Sequence, residues 1–387
     1  MDFEKNMDRV MESRSGAPNA QRPFNVRVNF GYEPYDLADA VIQSRAIQAF
    51  DSAVASYPIH RLVRCAARRP MEQIFDDLAL KSGLIAQRLQ SGSLLLDGHG
   101  VFVQAEGRRK AGYCSCTFGI WAESIERAQA MRETLFRIVG DERVRDQMFV
   151  VEWRFMDRRG EMQTSSFEEL ADDALLDEAY PMLGEPVQQF VERYANAPES
   201  VLILMGPPGT GKTRMVRAIL GALSRRKGDS AEALYTADAQ VLKSDGIFVD
   251  FVTGSHDAFV IEDADYLLQP RSDGNLDLHR FLMVADGVVR AGSRKLLFTT
   301  NLPNTGAIDE ALLRPGRCFA TLTIRRLSVE EARRLARRLA GDAVQAERIV
   351  ANALQPDSKS ISTAAVYSAW AQEQARAGAH RMQAVAI

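Results

Sequence analysis

Residues 201–213, VLILMGPPGTGKT, constrain this chain more than any other stretch. Five apolar residues read as a buried strand and run straight into the spacing G-x-x-x-x-G-K-[ST]. The following TRMVRAILGALSRR carries Met215, Val216, Ile219, Leu220 and Leu223 at helical intervals. Strand, glycine-rich turn and amphipathic helix in that order predict a loop whose backbone N–H groups cradle phosphates. Gly206, Gly209 and Gly211 allow the tight turn, Pro207, Pro208 and Thr210 complete the loop, and the helix adds the positive end of its dipole. Lys212 is expected to reach the β and γ phosphates of a nucleotide, and Thr213 to place its hydroxyl on Mg²⁺. A turn without a ligand would need neither the Lys-Thr pair nor the strand and helix around it.

Further along, ALYTAD (233–238) and AFVIEDAD (258–265) read as two more strands, the second ending in acids. Acids at the carboxyl end of a buried strand lie beside a phosphate loop, where one holds the metal and another orients the attacking water. Here the order is Glu262 then Asp263. The metal role falls to the longer Glu262 and the water-polarising role to Asp263, with an inactive site as the alternative. KLLFTTN (295–301) is another buried strand, ending in Asn301, which is suited to hold the lytic water or the γ-phosphate. In DEALLRPGR, Arg314 and Arg317 flank a Pro-Gly turn and are expected to project away from their own site toward a neighbour's nucleotide. An arginine finger supplied in trans is worth about 10³ to 10⁵ in rate. A ring assembly follows from that reading.

The chain has 387 residues, enough for two or three domains, and its 46% hydrophobic and 26% charged residues are ordinary globular composition. A net charge of −3 exerts no overall pull toward nucleic acid or acidic lipid. The four cysteines, Cys65, Cys114, Cys116 and Cys318, are too few for a disulfide framework, and Cys114-x-Cys116 lacks a second pair for zinc. No signal core or bilayer-length apolar run is seen, so a cytoplasmic protein without a membrane span is expected.

Residues 1–25 read as a flexible arm, and 26–165 as an α+β partner-recognition domain. Its strands are expected near VRVNF, HRLVRCA, SLLLDG, GVFVQAE, YCSCTFGIW and MFVVEWRFM. Its helices are expected over DLADAVIQSRAIQAFDSAVAS, FDDLALKSGLIAQRL and IERAQAMRETLFRIV. Basic clusters at Arg61 to Arg69, Arg108 to Lys110 and Arg158 with Arg159 are more simply a solvated surface than a nucleic-acid face. The acidic stretch from about residue 160 to 200 reads as a connector followed by a helix, so a large α/β subdomain spans 166–325. From Arg326 onward the chain is helical: Ser328 can cap a helix with Glu331 at its third position, and 326–387 form a small lid.

GPPGTGKT, the acidic strand, and TTNLPNTGAIDEALLRPGR with its spacing resemble the AAA branch of the AAA+ ATPases. The similarity covers roughly the last half of the chain. Within that branch, the Glu262-Asp263 order, the short segment between Asp238 and Ala258, and FLMVADGVVRAGSRKLLFTTN look most like the AAA chaperone that translocates the Rieske iron–sulfur protein in mitochondria, and its prokaryotic relatives. The resemblance implies a parallel sheet flanked by helices, ATP and Mg²⁺ as cofactors, and a homo-oligomeric ring, a hexamer or heptamer, that remodels or moves a protein. It also implies Lys212, Thr213, Glu262, Asp263, Asn301, Arg314 and Arg317 in the family's usual roles. The chain departs from the pattern in lacking a membrane-spanning N-terminus and an aromatic-hydrophobic-glycine pore loop. The nearest candidate for that loop, Gly246-Ile247-Phe248, has the wrong order, and Cys318, Phe319 and Ala320 follow RPGR. A nucleic-acid-directed motor or loader and an ATP-gated scaffold with little turnover stand as alternatives.

Overall fold

The computed structural model describes residues 44, 57–110, 112–140, 143–144, 148–171, 175–270, 277–285, 294–356 and 358–385. Chain contacts divide the protein into residues 1–53 and 54–387, and all that follows concerns the second part. The expected arm and the expected VRVNF strand lie outside the described residues, as does the helix expected over 36–56 apart from Ser44.

The first layer of structure comprises β1 (Ile59–Ala67), α1 (Met71–Lys81), β2 (Ile85–Gln90), β3 (Ser93–Gly98), β4 (Val101–Lys110), β5 (Tyr113–Ala122), α2 (Ile125–Val139) and β6 (Arg143–Val144). Its strands form an antiparallel sheet in the order β2-β3-β4-β5-β1-β6. Alternate residues point to one face, where Val63, Cys65, Leu94, Leu96, Cys116 and Phe118 meet Ile74, Phe75 and Leu78 of α1 and Met131 and Leu135 of α2. Against the lowering effect of its hydrogen bond with Cys114, the neighbouring Cys65 thiol and then burial in this core push the Cys116 thiol well above its ordinary pKa. The single helix expected over FDDLALKSGLIAQRL is broken. Gly83 takes a left-handed φ of 73°, α1 stops at Lys81, and the second half pairs as the edge strand β2.

The second sheet is built from β7 (Met148–Met156), β8 (Met162–Leu170), β9 (Val201–Met205), β10 (Ala231–Thr236), β11 (Ala258–Ile261), β12 (Lys295–Thr300) and β13 (Cys318–Thr323). Its order is β13-β9-β12-β11-β10-β7-β8. Every neighbouring pair is parallel except the hairpin β7–β8. Helices cover both faces, as a parallel sheet requires. On one side lie α3 (Val187–Asn196) and α4 (Lys212–Lys227); on the other lie α5 (Asp245–Thr253), the short α6 (Asp265–Leu268) and α7 (Leu278–Ala285). All five residues of β9 are buried: Leu202 and Leu204 face the α4 side, and Val201, Ile203 and Met205 face the other.

Two segments fall in a different place from that expected. MFVVEWRFM, assigned by sequence to the first domain, is β7, which lies parallel to β10. SSFEEL, read as connector, is the second half of β8. Strand patterning reports burial, not which sheet supplies the partner. Phe149 and Val151 settle in the core around α4, which adds two strands to the parallel sheet. The two sheets meet at Arg64 of β1, which lies between Glu168 at 3.5 Å and Glu232 at 3.2 Å, while the Thr117 hydroxyl donates to Glu168 at 2.8 Å.

The remaining elements are β14 (Leu327–Ser328), α8 (Val329–Ala340), α9 (Ala343–Ala353), β15 (Ser360–Ile361) and α10 (Thr363–Val385). They form the helical lid. The Ser328 hydroxyl accepts from the Glu331 N–H at 3.2 Å and the Glu331 carboxylate accepts from the Ser328 N–H at 2.8 Å, the reciprocal cap expected from the sequence.

Candidate nucleotide-binding site

The carboxyl ends of β9, β11 and β12, the amino end of α4 and the start of α10 enclose a cleft of about 570 Å³. Gly206 leaves β9 with φ 145°, and a Cβ there would lie 2.0 Å from the Ile324 carbonyl oxygen, so no larger residue fits. The far end of the loop is held by Tyr180, whose hydroxyl donates to the Gly211 carbonyl at 3.0 Å. The lid closes against the loop through the Ala364 N–H, which donates to the Gly209 carbonyl at 2.9 Å.

Lys212 is buried, and its Nζ donates to the Gly206 carbonyl at 2.6 Å, the Pro207 carbonyl at 3.3 Å and Asn301 Oδ1 at 2.9 Å. Burial lowers its pKa, and the negative charges of Asp263, Asp265 and Glu262 oppose that shift. The Thr213 hydroxyl donates to Glu262 Oε1 at 2.7 Å, and the Tyr235 hydroxyl donates to Glu262 Oε2 at 2.9 Å. Asn301 Nδ2 donates to Asp263 Oδ1 at 3.2 Å. Asp263 has φ 50°, the sole non-glycine residue with positive φ among the described residues. Aspartate tolerates that conformation better than most side chains. The turn is secured where the Thr299 hydroxyl accepts from the Asp263 N–H at 3.1 Å and the Thr299 carbonyl from the Ala264 N–H at 2.8 Å. Asp265 completes the scaffold by accepting from the Thr300 hydroxyl and, at 2.7 Å, from the Asn301 N–H.

Lys212, Thr213, Glu262, Asp263 and Asn301 are therefore brought together at one end of the cleft. Sequence reasoning missed Tyr235, Thr299, Asp265 and Tyr180, together with Thr363, Ala364 and Tyr367, which the lid contributes to the cleft. The hydroxyls and acid at the ends of YT, FTT and EDAD were visible signals; the lid residues left none. A hydroxyl and a carboxylate 2.7 Å apart beside a buried lysine are hard oxygen donors that suit Mg²⁺ on a phosphate chain.

The two arginines part company. Arg314 is exposed. Arg317 does not project as expected: it is buried and donates to the Ala311 carbonyl, closing the turn from inside. The pore-loop candidate is also closed, since Ile247 and Phe248 are buried in α5, where Phe248 packs edge-on against Phe281. In the basic clusters Arg64, Arg69, Arg109 and Lys110 are paired with carboxylates.

A phosphate loop between β9 and α4, with acids on the adjoining strand ends, defines a P-loop nucleotide-binding module of the α/β class. Residues 202–326 match the family described as "ATPase family associated with various cellular activities (AAA)", so the chain carries an AAA ATPase domain. It is 31% identical over 129 residues to the ATPase family gene 2 protein of Schizosaccharomyces pombe, covering 31% of this chain and 16% of that protein. It is 30% identical to the ATP-dependent zinc metalloprotease FtsH of Syntrophotalea carbinolica, covering 40% of this chain and 26% of the relative. The 26S proteasome regulatory subunit 7 homolog of S. pombe is 30% identical, covering 34% and 32% respectively. The matched stretch thus spans no more than 32% of these relatives' own lengths. Among the described residues no helix is long and apolar enough to cross a membrane.

Proposed function

We propose that this protein hydrolyses ATP with Mg²⁺ and couples the cycle to remodelling or moving a protein partner within a homo-oligomeric ring. The observation that carries the reading is the convergence of Lys212, Thr213, Glu262, Asp263 and Asn301 at one end of the cleft. Lys212 exchanges its loop carbonyls for β and γ phosphate oxygens. Thr213 and Glu262 would hold the cation, which when bound would screen the phosphate charge and supply Lewis-acid polarisation. Asp263 accepts the proton of the attacking water, and Asn301, bonded to both Lys212 and Asp263, keeps that water beside the γ-phosphate. Arg314, exposed on its turn, reaches the site of the adjacent copy, while Arg317 supports the turn that presents it.

A protein partner is favoured over nucleic acid because Arg64, Arg69, Arg109 and Lys110 of the first layer are already paired with carboxylates of that layer or of the second sheet. The printed names of two relatives, a metalloprotease and a proteasome subunit, support the same direction. The Glu262-Asp263 order supports the finer likeness to the Rieske-translocating chaperone group. Burial of Ile247 and Phe248 speaks against threading through a narrow pore. The experiment is calorimetric titration of ATP alongside phosphate release: wild type binds and turns over, whereas Lys212→Ala stays folded but loses tight binding. Unchanged ATP affinity in a folded Lys212→Ala protein overturns the reading.

A further inference from the structure

We propose that Tyr235 is a positioning residue for Glu262, fixing the longer acid where the site takes its divalent cation and thereby setting the affinity for that cation. The inference rests on the reading of Glu262 as the metal-side carboxylate. Tyr235 is the next-to-last residue of β10, paired in register with Val260 of β11, two positions before Glu262. Its hydroxyl donates to Glu262 Oε2 at 2.9 Å while Thr213 donates to Oε1 at 2.7 Å, so the two carboxylate oxygens are held from different elements.

The division matters because glutamate has one more rotatable bond than aspartate, and an untethered carboxylate at a strand end would sample several positions. Thr213 alone is a poor tether, since its oxygen is itself a donor atom for the cation and its bond to Oε1 is altered once the metal is held. The Tyr235 bond lies on the other oxygen and is not drawn on. Its ring packs against the core on the α4 side, which makes the hydroxyl a fixed point and not a mobile one. Phenylalanine would preserve that packing and remove only the tether.

The test measures Mn²⁺ affinity by electron paramagnetic resonance in the full chain loaded with ADP, with the thermal midpoint as a check on folding. Tyr235→Phe should weaken Mn²⁺ binding by about tenfold, the scale of one hydrogen bond to a charged group. Affinity for ADP without metal should not change. In a Glu262→Asp background the shorter carboxylate cannot reach Tyr235, so adding Tyr235→Phe should make no further difference. Unchanged Mn²⁺ affinity in Tyr235→Phe overturns the proposal, and so does an equal loss in both backgrounds, which would mark a general packing role. Glu262→Gln separates this from the underlying reading: if it too leaves Mn²⁺ affinity unchanged, the assignment of Glu262 to the metal falls; if it weakens binding while Tyr235→Phe does not, only the positioning role falls.

Discussion

Asp263 pays for its place with an unusual backbone, and the reason lies one residue earlier. Glu262 is drawn to Thr213 and Tyr235, and the left-handed turn then directs the next carboxylate to Asn301. Asp263→Asn should therefore bind ATP yet hydrolyse it about 10² to 10⁴ times more slowly, the usual worth of a general base. Single-turnover phosphate release checks it; normal turnover in Asp263→Asn with a dead, Mg-ATP-binding Glu262→Gln would exchange the two roles. Lys295 supplies a prediction away from the cleft. It is fully buried, donates to the Ala197 and Glu199 carbonyls at 2.6 and 3.0 Å, and is pulled down to a pKa of about 8, chiefly by burial and secondarily by Arg226. Because its folded pKa lies below its ordinary 10.5, the unfolded chain binds more protons between those values, and this group's contribution to stability rises as pH rises from about 8 to 10.5. Urea midpoints across that range should climb more steeply in wild type than in Lys295→Met. At this scale the sequence made the phosphate loop, the acids and Asn301 legible, because each sits at a strand end that patterning can locate. It could not reveal Lys295 as a strut, or Tyr235 as a tether, since both depend on which strands lie side by side.

Among the elements, apolar strands and the capped lid helix were readable because short-range periodicity and cap chemistry carry them. A helical period read through Gly83 was misleading, as φ 73° there ends one element and begins another. The hairpin β7–β8 shows the same limit on a larger piece, for its partner β10 lies more than 60 residues further along the chain. A fragment beginning at residue 166 should fail. It would remove all of β7 and half of β8, expose the long edge of β10, and strip Phe149 and Val151 from the core around α4. A fragment of residues 148–387 keeps that edge covered. Expression of both, followed by size-exclusion chromatography, should give a soluble species from the longer fragment and aggregate from the shorter; a well-behaved 166–387 would show that the hairpin is dispensable to the sheet.

For the whole molecule the decisive property is assembly. Arg314 is exposed on its turn, and on the proposal that it completes the site of an adjacent copy, specific ATPase activity should increase with protein concentration as copies associate. Mixing Arg314→Ala with Lys212→Ala should restore some turnover, because only mixed assemblies contain an interface with both an intact loop and an intact arginine. Full activity in a strictly monomeric state, established by light scattering under assay conditions, would end the ring mechanism. The junction at Arg64 adds something the ATPase module alone does not have. One guanidinium grips a carboxylate on β8 and another on β10, and three residues separate β6 from β7. A recognition domain on a long leash would let a pulling stroke dissipate as slack. On the proposed reading, in which the first sheet holds a partner, this junction would make it the handle of a wrench, passing on the motion of the ATPase sheet with little lost between them.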